Sequence, residues 1–177
     1  LINVLIVEDD PMARKLLEIY INDSEEYKLS QSIESAAMAE LYRRRNPIDP
    51  ILMDVCTAMD ANGLDAAAKI KKSCPHIKII IVTSQPEFSF IERARKAGVE
   101  SFWYKSASAE EIIEVMNRTM AGDSVYPDTT PSLRLGEALN VDFTEKELLV
   151  LREVVDGEAD ADIAEKLGMS VRTVKAH

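Results

Sequence analysis

The sequence predicts an α/β fold, a doubly wound five-stranded parallel sheet, followed by a second, smaller all-α domain. Over the first 121 residues, five short apolar segments alternate with five amphipathic segments whose apolar residues recur at helical spacing. Several of the apolar segments are apolar on both faces, which is typical of parallel strands covered by helices on two sides. After residue 140 only helical spacing remains, so the last part of the chain is expected to form helices alone.

Each element of the sheet domain follows from its local sequence. The strands are predicted at residues 2–7, 27–33, 50–54, 77–82 and 99–104, and the helices at 11–22, 34–45, 62–73, 86–97 and 108–121. Pro11 stands at the start of the first helix, where its missing N–H is not needed. Met12, Leu16 and Leu17 follow it at helical spacing. Right-handed connections between the parallel strands then place helices on both faces of the sheet.

Residues 122–140 contain glycines, prolines and small polar residues and are predicted to be a linker. Three helices are predicted after them. Thr144 and Glu147 have the spacing of a capping box at the start of the first of these helices. The apolar stripe of that helix is predicted as Leu148, Leu151, Val154 and Val155. The second covers about 160–167, and Ser170 caps the third. The predicted domains are therefore residues 1–121 and 141–177.

Composition narrows the class of protein. The 177 residues are 46% hydrophobic and 29% charged, which excludes a disordered chain, and no apolar run approaches the roughly 20 residues of a membrane span. Cys56 and Cys74 form neither a CxxC pair nor a disulfide framework, so we predict a cytoplasmic protein without membrane contact. The net charge of −10 argues against a generally basic surface, although residues 163–177 hold three basic residues against one acidic residue.

Polar residues follow four of the five predicted strands where each strand ends. Glu8, Asp9 and Asp10 follow the first, Asp54 ends the third, Thr83 and Ser84 follow the fourth, and Lys105 follows the fifth. The carboxyl ends of parallel strands meet at one edge of a sheet, and ligands bind there. Each residue alone could simply cap a helix or lie in solvent, but their order along the chain predicts a shared site.

The residue types at this edge predict phosphoryl chemistry. Clustered carboxylates suit a hard cation, Mg²⁺ above all, which also offsets their mutual repulsion. A metal, the Thr83 hydroxyl and the Lys105 ammonium around Asp54 would stabilise negative charge on a phosphoryl group. Asp54 is then the predicted nucleophile, forming an acyl phosphate. Asp10, directly before Pro11, is assigned mainly to capping the helix.

The segments IVEDD, ILMDV, IIIVTS and FWYKS resemble the flavodoxin-like receiver domain of two-component response regulators, over residues 1–121. The resemblance implies that Asp54 is the phosphoacceptor and that Thr83 and Lys105 contact the phosphoryl group. It further implies metal and switch residues: Glu8, Asp9, Asp54 and the Cys56 backbone carbonyl for the metal, and Thr83 and Phe102 for the switch.

One loop departs from the receiver pattern. After the phosphoacceptor the family often has M-P-G-M-D-G, whereas this chain has TAMDANG, with Ala58 in place of proline and one more residue before Gly63. The conformation of this loop is therefore expected to be its own. Cys56 and Gln85, which flank the site, are expected to influence how fast an acyl phosphate hydrolyses.

The last 35 residues resemble the LuxR-type (NarL-type) DNA-binding domain, a helix-turn-helix, in the run from Thr144 through Ile163-Ala164 to TVKAH. The resemblance implies that the helix from Val171 enters the major groove. The DNA-binding residues predicted from it are Arg172, Thr173, Val174, Lys175 and His177, with Val174 assigned either to the core or to a thymine methyl group. The family has a fourth helix beyond this point, so we expect the 177-residue chain to bind promoter DNA poorly.

The leading hypothesis is a phosphorylation-dependent transcription regulator with a sensor histidine kinase as phosphodonor, promoter DNA as target and a homodimer formed on phosphorylation. It would hydrolyse its own acyl phosphate slowly and would not be a turnover enzyme. One alternative is an aspartate-nucleophile phosphatase or dehalogenase-like hydrolase; such enzymes usually carry a second Asp two residues after the nucleophile, where this chain has Cys56. The other is an adaptor whose C-terminal helices bind protein.

Overall fold

The computed structural model describes residues 1–105, 111–128, 134–135, 138–139, 147, 150, 154 and 159–176. The chain divides into two compact units, Leu1–Thr130 and Pro131–His177. Within the described parts of both units, no helix has the length and apolar character needed to cross a membrane.

The first unit contains the predicted five-stranded parallel sheet. Its strands are β1 (Ile2–Val7), β2 (Tyr27–Ile33), β3 (Ile51–Met53), β6 (Ile79–Thr83) and β7 (Ser101–Tyr104), in the order β2-β1-β3-β6-β7. Every neighbouring pair is parallel. The predicted fold class is confirmed.

Helices cover both faces of this sheet. They are α1 (Pro11–Asp23), α2 (Ala39–Arg45), α3 (Gly63–Ser73), α4 (Phe88–Ala97) and α5 (Ile112–Ala121). Residues 34–45 were predicted as one helix, but the segment begins with a separate 3-10 turn at Ala36–Met38. The first residues of the predicted helix 108–121 lie outside the described part of the chain.

The sheet separates two apolar cores because successive strand residues point to opposite faces. Val4 and Ile6 of β1 pack in the core that α1 and α5 cover. Leu5 and Val7 pack in the core under α2, α3 and α4. All four side chains are at most 1% exposed, so β1 is held from both sides and its carboxyl end has a fixed position.

A short hairpin follows β3 and was not predicted. Its strands are β4 (Cys56–Thr57) and β5 (Ala61–Asn62), which pair antiparallel. Met59 (φ 62°) and Asp60 (φ 53°) form its tip in the left-handed backbone region, which residues other than glycine seldom adopt. This hairpin is the loop in which the sequence departs from the receiver pattern.

The start of the predicted linker packs on the sheet of the first unit. The Phe102 N–H donates to the Val125 carbonyl (2.8 Å), and the Val125 N–H donates to Ser101 Oγ (3.0 Å). The Tyr126 hydroxyl donates to the Val99 carbonyl (2.8 Å). The chain therefore runs along the edge strand β7 after α5 ends.

The second unit contains the helices Asp160–Lys166 and Val171–Ala176. They meet at Gly168, whose positive φ (64°) suits the turn between them. A small apolar core joins them, formed by Val150, Ile163, Ala164 and Val174. Ser170 caps the second of these helices as predicted, accepting the Thr173 N–H at 3.1 Å.

Two details of this unit differ from the prediction. Val154 was placed in the apolar stripe of the first C-terminal helix, but its side chain is 49% exposed, and Val150 is buried instead. The rest of that stripe and the cap Thr144 lie outside the described residues. Within the predicted linker, Arg134–Leu135 and Ala138–Leu139 pair as short antiparallel strands, β8 and β9.

Candidate functional site

The polar strand ends meet at one edge of the sheet, as predicted. The Asp54 N–H donates to the Val7 carbonyl (2.9 Å), which places Asp54 beside the end of β1. The Lys105 N–H donates to the Thr83 carbonyl (2.9 Å), which joins the ends of β6 and β7 in the same way. Backbone pairing alone therefore brings four distant parts of the chain to this edge.

The Lys105 ammonium connects two carboxylates at the centre of the site. It donates to Asp54 Oδ2 at 3.0 Å and to Glu8 Oε2. Glu8 is 1% exposed and Asp54 is 8% exposed, so both would be costly to ionise without a nearby cation. Lys105 provides one positive charge for these two acids.

Backbone groups orient the two acids. The Val55 N–H donates to Asp54 Oδ1 (2.7 Å), and the Asp10 N–H donates to Glu8 Oε1 (3.1 Å). The Asp10 carboxylate itself caps α1, accepting the Ala13 N–H at 2.7 Å as predicted. The acids at the end of β1 therefore have different roles: Asp10 caps α1, and Glu8 faces the site.

The site is short of positive charge. Burial raises the pKa of Glu8 to about 7, with Lys105 opposing this rise and the Asp54 charge adding to it. Burial also raises the pKa of Asp54, against the effect of Lys105. Burial by itself would lower the pKa of Lys105, but the two carboxylates together raise it, so the ammonium stays charged.

Glu8, Asp9 and Asp54 fit a metal ion. One carboxylate oxygen from each lies within 4.8 Å of the others, and Asp9 is exposed, leaving room for the waters that Mg²⁺ retains. Cys56 begins β4, two residues beyond Asp54, and pairs with Asn62 of β5. Oxygen ligands of this kind are those that a hard cation selects.

The two predicted switch residues are both buried. The Thr83 hydroxyl is 1% exposed and accepts the Gln85 N–H at 3.1 Å. Phe102 is 2% exposed and meets Tyr104 edge to face, with ring centroids 5.0 Å apart. The Thr83 carbonyl accepts the Lys105 N–H, which places Thr83 at the edge of the site. Phe102 lies within the core, three residues before Lys105 along the chain.

Among the predicted DNA-binding residues, Arg172, Thr173 and Lys175 are exposed on the helix from Val171. Val174 is 3% exposed and belongs to the small apolar core with Ile163, so of its two predicted roles the structure favours the core. Its side chain packs inward and supports the helix. His177 lies outside the described residues.

Two residues that shape the site were missed. The Arg14 guanidinium donates to the Glu8 carbonyl (3.1 Å) and to Glu34 Oε1 (2.9 Å), which ties α1 to two loops. Gly63 lies so close to the Asp54 backbone that an added Cβ would overlap the Asp54 oxygen. Its position directly after Asn62, the N-cap of α3, indicates a tight turn but not this contact.

We expect Asp9→Asn to raise the Mg²⁺ dissociation constant by at least about tenfold, or about 1.4 kcal/mol, because one of the three clustered carboxylates is lost. Trp103, the chain's one tryptophan, lies on β7 and provides a fluorescence signal for the titration. Asp10→Asn is the matched control, since asparagine also caps helices. An equal loss in both variants would mean that Asp9 acts only through general charge.

Known families match both parts of the chain. The family described as response regulator receiver domain matches residues 4–117, and the one described as bacterial regulatory proteins, luxR family, matches residues 141–177. The response regulator protein VraR of Staphylococcus aureus is 30% identical in an alignment of 183 residues, which covers 99% of this chain and 86% of VraR.

Solved structures share the fold. A LuxR-family two-component response regulator from Aurantimonas sp. SI85-9A1 is 22% identical with a TM-score of 0.65, covering 73% of this chain and 89% of that one. RcsB from Salmonella enterica serovar Typhimurium, bound to a promoter in the presence of the phosphomimetic BeF3⁻, is 20% identical with a TM-score of 0.65. That match covers 99% of this chain and 87% of RcsB.

Proposed function

We propose that phosphorylation of Asp54 controls the binding of this protein to promoter DNA, because the chain belongs to the response regulators that join a receiver domain to a LuxR-type DNA-binding domain. The observation that supports this most directly is the buried Asp54 carboxylate, held 3.0 Å from the Lys105 ammonium beside the acid cluster. Such an arrangement is suited to a carboxylate that receives a negatively charged group.

In the proposed reaction the Asp54 carboxylate attacks the phosphorus of a phosphorylated histidine on a sensor kinase. The new P–O bond forms as the P–N bond breaks, and the imidazole leaves with the electron pair. Val55 donates to one Asp54 oxygen and Lys105 to the other, which orients the nucleophile. Hydrolysis of the acyl phosphate, assisted by the same groups, would reset the protein slowly.

The residues present fit Mg²⁺, which we propose as the cofactor. Glu8, Asp9 and Asp54 would hold it with the backbone carbonyl of Cys56. When bound, it would neutralise negative charge on the entering phosphoryl group. Lys105 would keep a contact to the phosphoryl group, and the Thr83 hydroxyl would donate to it. Thr83 and Phe102 would then transmit the change away from the site.

The remaining partners come from the relatives. RcsB is described bound to promoter DNA with a phosphomimetic, and in another structure as two dimers on two parallel DNAs. We extend both properties to the complete protein: promoter binding in the cytoplasm, through the exposed Arg172, Thr173 and Lys175, and dimerisation on phosphorylation. The family is one of DNA-binding regulators, so the hydrolase alternative is not retained.

Acetyl phosphate with Mg²⁺ should add one phosphoryl group to the protein and raise its affinity for DNA about tenfold, or 1.4 kcal/mol, as dimers form. The DNA is a duplex enriched from a random pool by the phosphorylated protein, measured by fluorescence anisotropy at fixed salt. The matched control is Asp54→Asn, which should take no label and show no gain. Labelling that persists in Asp54→Asn would refute the assigned acceptor. Because the 177 residues alone are expected to bind DNA poorly, the DNA measurement is made on protein extended through the family's fourth helix. Labelling of that protein without any effect on DNA would favour the adaptor alternative.

A further inference from the structure

Thr57 is a buried hydroxyl at the base of the β4–β5 hairpin. Its side chain is 6% exposed. Thr57 Oγ1 accepts the Ala36 N–H at 2.9 Å and donates to the Ala61 carbonyl at 2.6 Å. One hydroxyl therefore closes the hairpin and also fastens it to the turn that precedes α2.

The residues between Asp54 and the hairpin are fixed at both ends. On one side, the Gly63 N–H donates to the Val55 carbonyl at 2.7 Å. On the other side, Thr57 is anchored through its hydroxyl, and the Ala58 N–H donates to the Glu34 carbonyl at 3.0 Å. Cys56 lies between these two anchors, so the direction of its backbone depends on both.

The turn that receives the Thr57 hydroxyl also reaches the acids at the end of β1. The Glu34 carboxylate accepts Arg14 at 2.9 Å, and the Arg14 guanidinium donates to the Glu8 carbonyl at 3.1 Å. The Glu8 N–H donates to the Ile33 carbonyl at 2.9 Å. The loop after Asp54 and the loop after β1, which hold the proposed metal ligands, are thus hydrogen-bonded to the same short segment, residues 33–36.

We propose that Thr57 is a positioning residue that sets the distance between the Cys56 backbone and the acid cluster, and so the affinity for Mg²⁺. This inference rests on the proposed function of the site. Aligning TAMDANG with the receiver pattern M-P-G-M-D-G places Thr57 at the methionine and Ala58 at the proline. Proline restricts a loop through its fixed φ. Here the hydrogen bonds of a buried hydroxyl supply that restriction.

The test compares Thr57→Val, which keeps the shape and removes both hydrogen bonds, with Thr57→Ser, which keeps them. The Mg²⁺ dissociation constant from Trp103 fluorescence should rise about tenfold in Thr57→Val, as for other groups that orient metal ligands, and recover in Thr57→Ser. Thr57→Cys, with weaker hydrogen bonds, should fall between them and serves if Thr57→Val does not fold.

The matched control is Thr119→Val, which removes another buried hydroxyl, one that donates to the Val115 carbonyl at 2.6 Å on α5. It should lower thermal stability and leave the Mg²⁺ dissociation constant unchanged. Wild-type Mg²⁺ affinity in the folded Thr57 variants, or an equal loss in Thr119→Val, would overturn the inference. In both cases wild-type protein would still bind Mg²⁺ and label at Asp54. If wild-type protein does neither, the proposed function itself fails.

Discussion

Without divalent metal, the folded protein should lose on the order of 3 kcal/mol of stability as the pH rises from about 4.5 to about 7. Burial is the main cause, since it raises the pKa of Glu8 from 4.5 to about 7; Lys105 opposes the rise and Asp54 adds to it. Below this window Glu8 is protonated in both states. Within it the unfolded chain releases the proton first, so each step upward in pH favours unfolding.

Urea unfolding at several pH values in the presence of a chelator measures this loss. Glu8→Gln should remove the part of the pH dependence that Glu8 causes, because its side chain stays neutral throughout, and leave the part that comes from the burial-raised pKa of Asp54. Glu92 is the matched control: it is exposed on α4, and its hydrogen bond to Lys96 at 2.8 Å lowers its pKa, so Glu92→Gln should leave the dependence above about pH 4.5 nearly unchanged. A wild-type slope in Glu8→Gln would show that another group causes it.

The buried site holds the Glu8 and Asp54 carboxylates beside a single Lys105 ammonium. This excess of negative charge explains why metal binding and stability should be linked. A cation that binds only the folded protein stabilises it in proportion to its concentration over its dissociation constant. Mg²⁺ would also favour the ionised form of Glu8 and so lower its pKa. At pH 7 and above, added Mg²⁺ should therefore restore the stability that the wild type loses, and restore much less in Glu8→Gln.

The sequence was sufficient to predict the sheet and which polar strand ends meet at its edge. Five apolar segments in alternation with helices leave few topologies, and the carboxyl ends of parallel strands share an edge whatever the side chains do. Asp54 and Lys105 are 51 positions apart, yet this rule alone predicts that both lie at the same edge of the sheet. The hydrogen bond between their side chains, 3.0 Å long, agrees with it.

Features that depend on close packing could not be predicted in the same way. The β4–β5 hairpin has strands of two residues, too short for any periodicity, and its tip places Met59 in a backbone region that favours glycine. For Val174 the sequence left two roles open, and only its place in the apolar core with Ile163 shows which side of the short helix is inward. The close approach of Gly63 to the Asp54 backbone can likewise be seen only in the three-dimensional structure.

Gly63→Ala should have the largest effect of any single methyl group added near the site. The new Cβ would overlap the Asp54 backbone oxygen and lie 2.9 Å from both the Asp54 carbonyl carbon and Met53 Cγ. Backbone cannot yield as a flexible side chain does, so α3 or the end of β3 must move. We expect a loss of about 3 kcal/mol in the free energy of unfolding.

The movement should also displace the nucleophile, because Gly63 contacts the residue that carries it. Misplacement by about 1 Å can slow a reaction on the order of 100-fold, so labelling of Gly63→Ala by acetyl phosphate should slow to that extent under conditions where the variant is still folded.

Gly122→Ala is the matched control: its φ is +106° and nothing lies within 4 Å of the added Cβ, which limits the cost to backbone strain of about 1 kcal/mol. Labelling of Gly122→Ala should proceed at the wild-type rate. If Gly63→Ala is as stable and labels as fast as Gly122→Ala, then the close approach of α3 to Asp54 does not determine the geometry of the site.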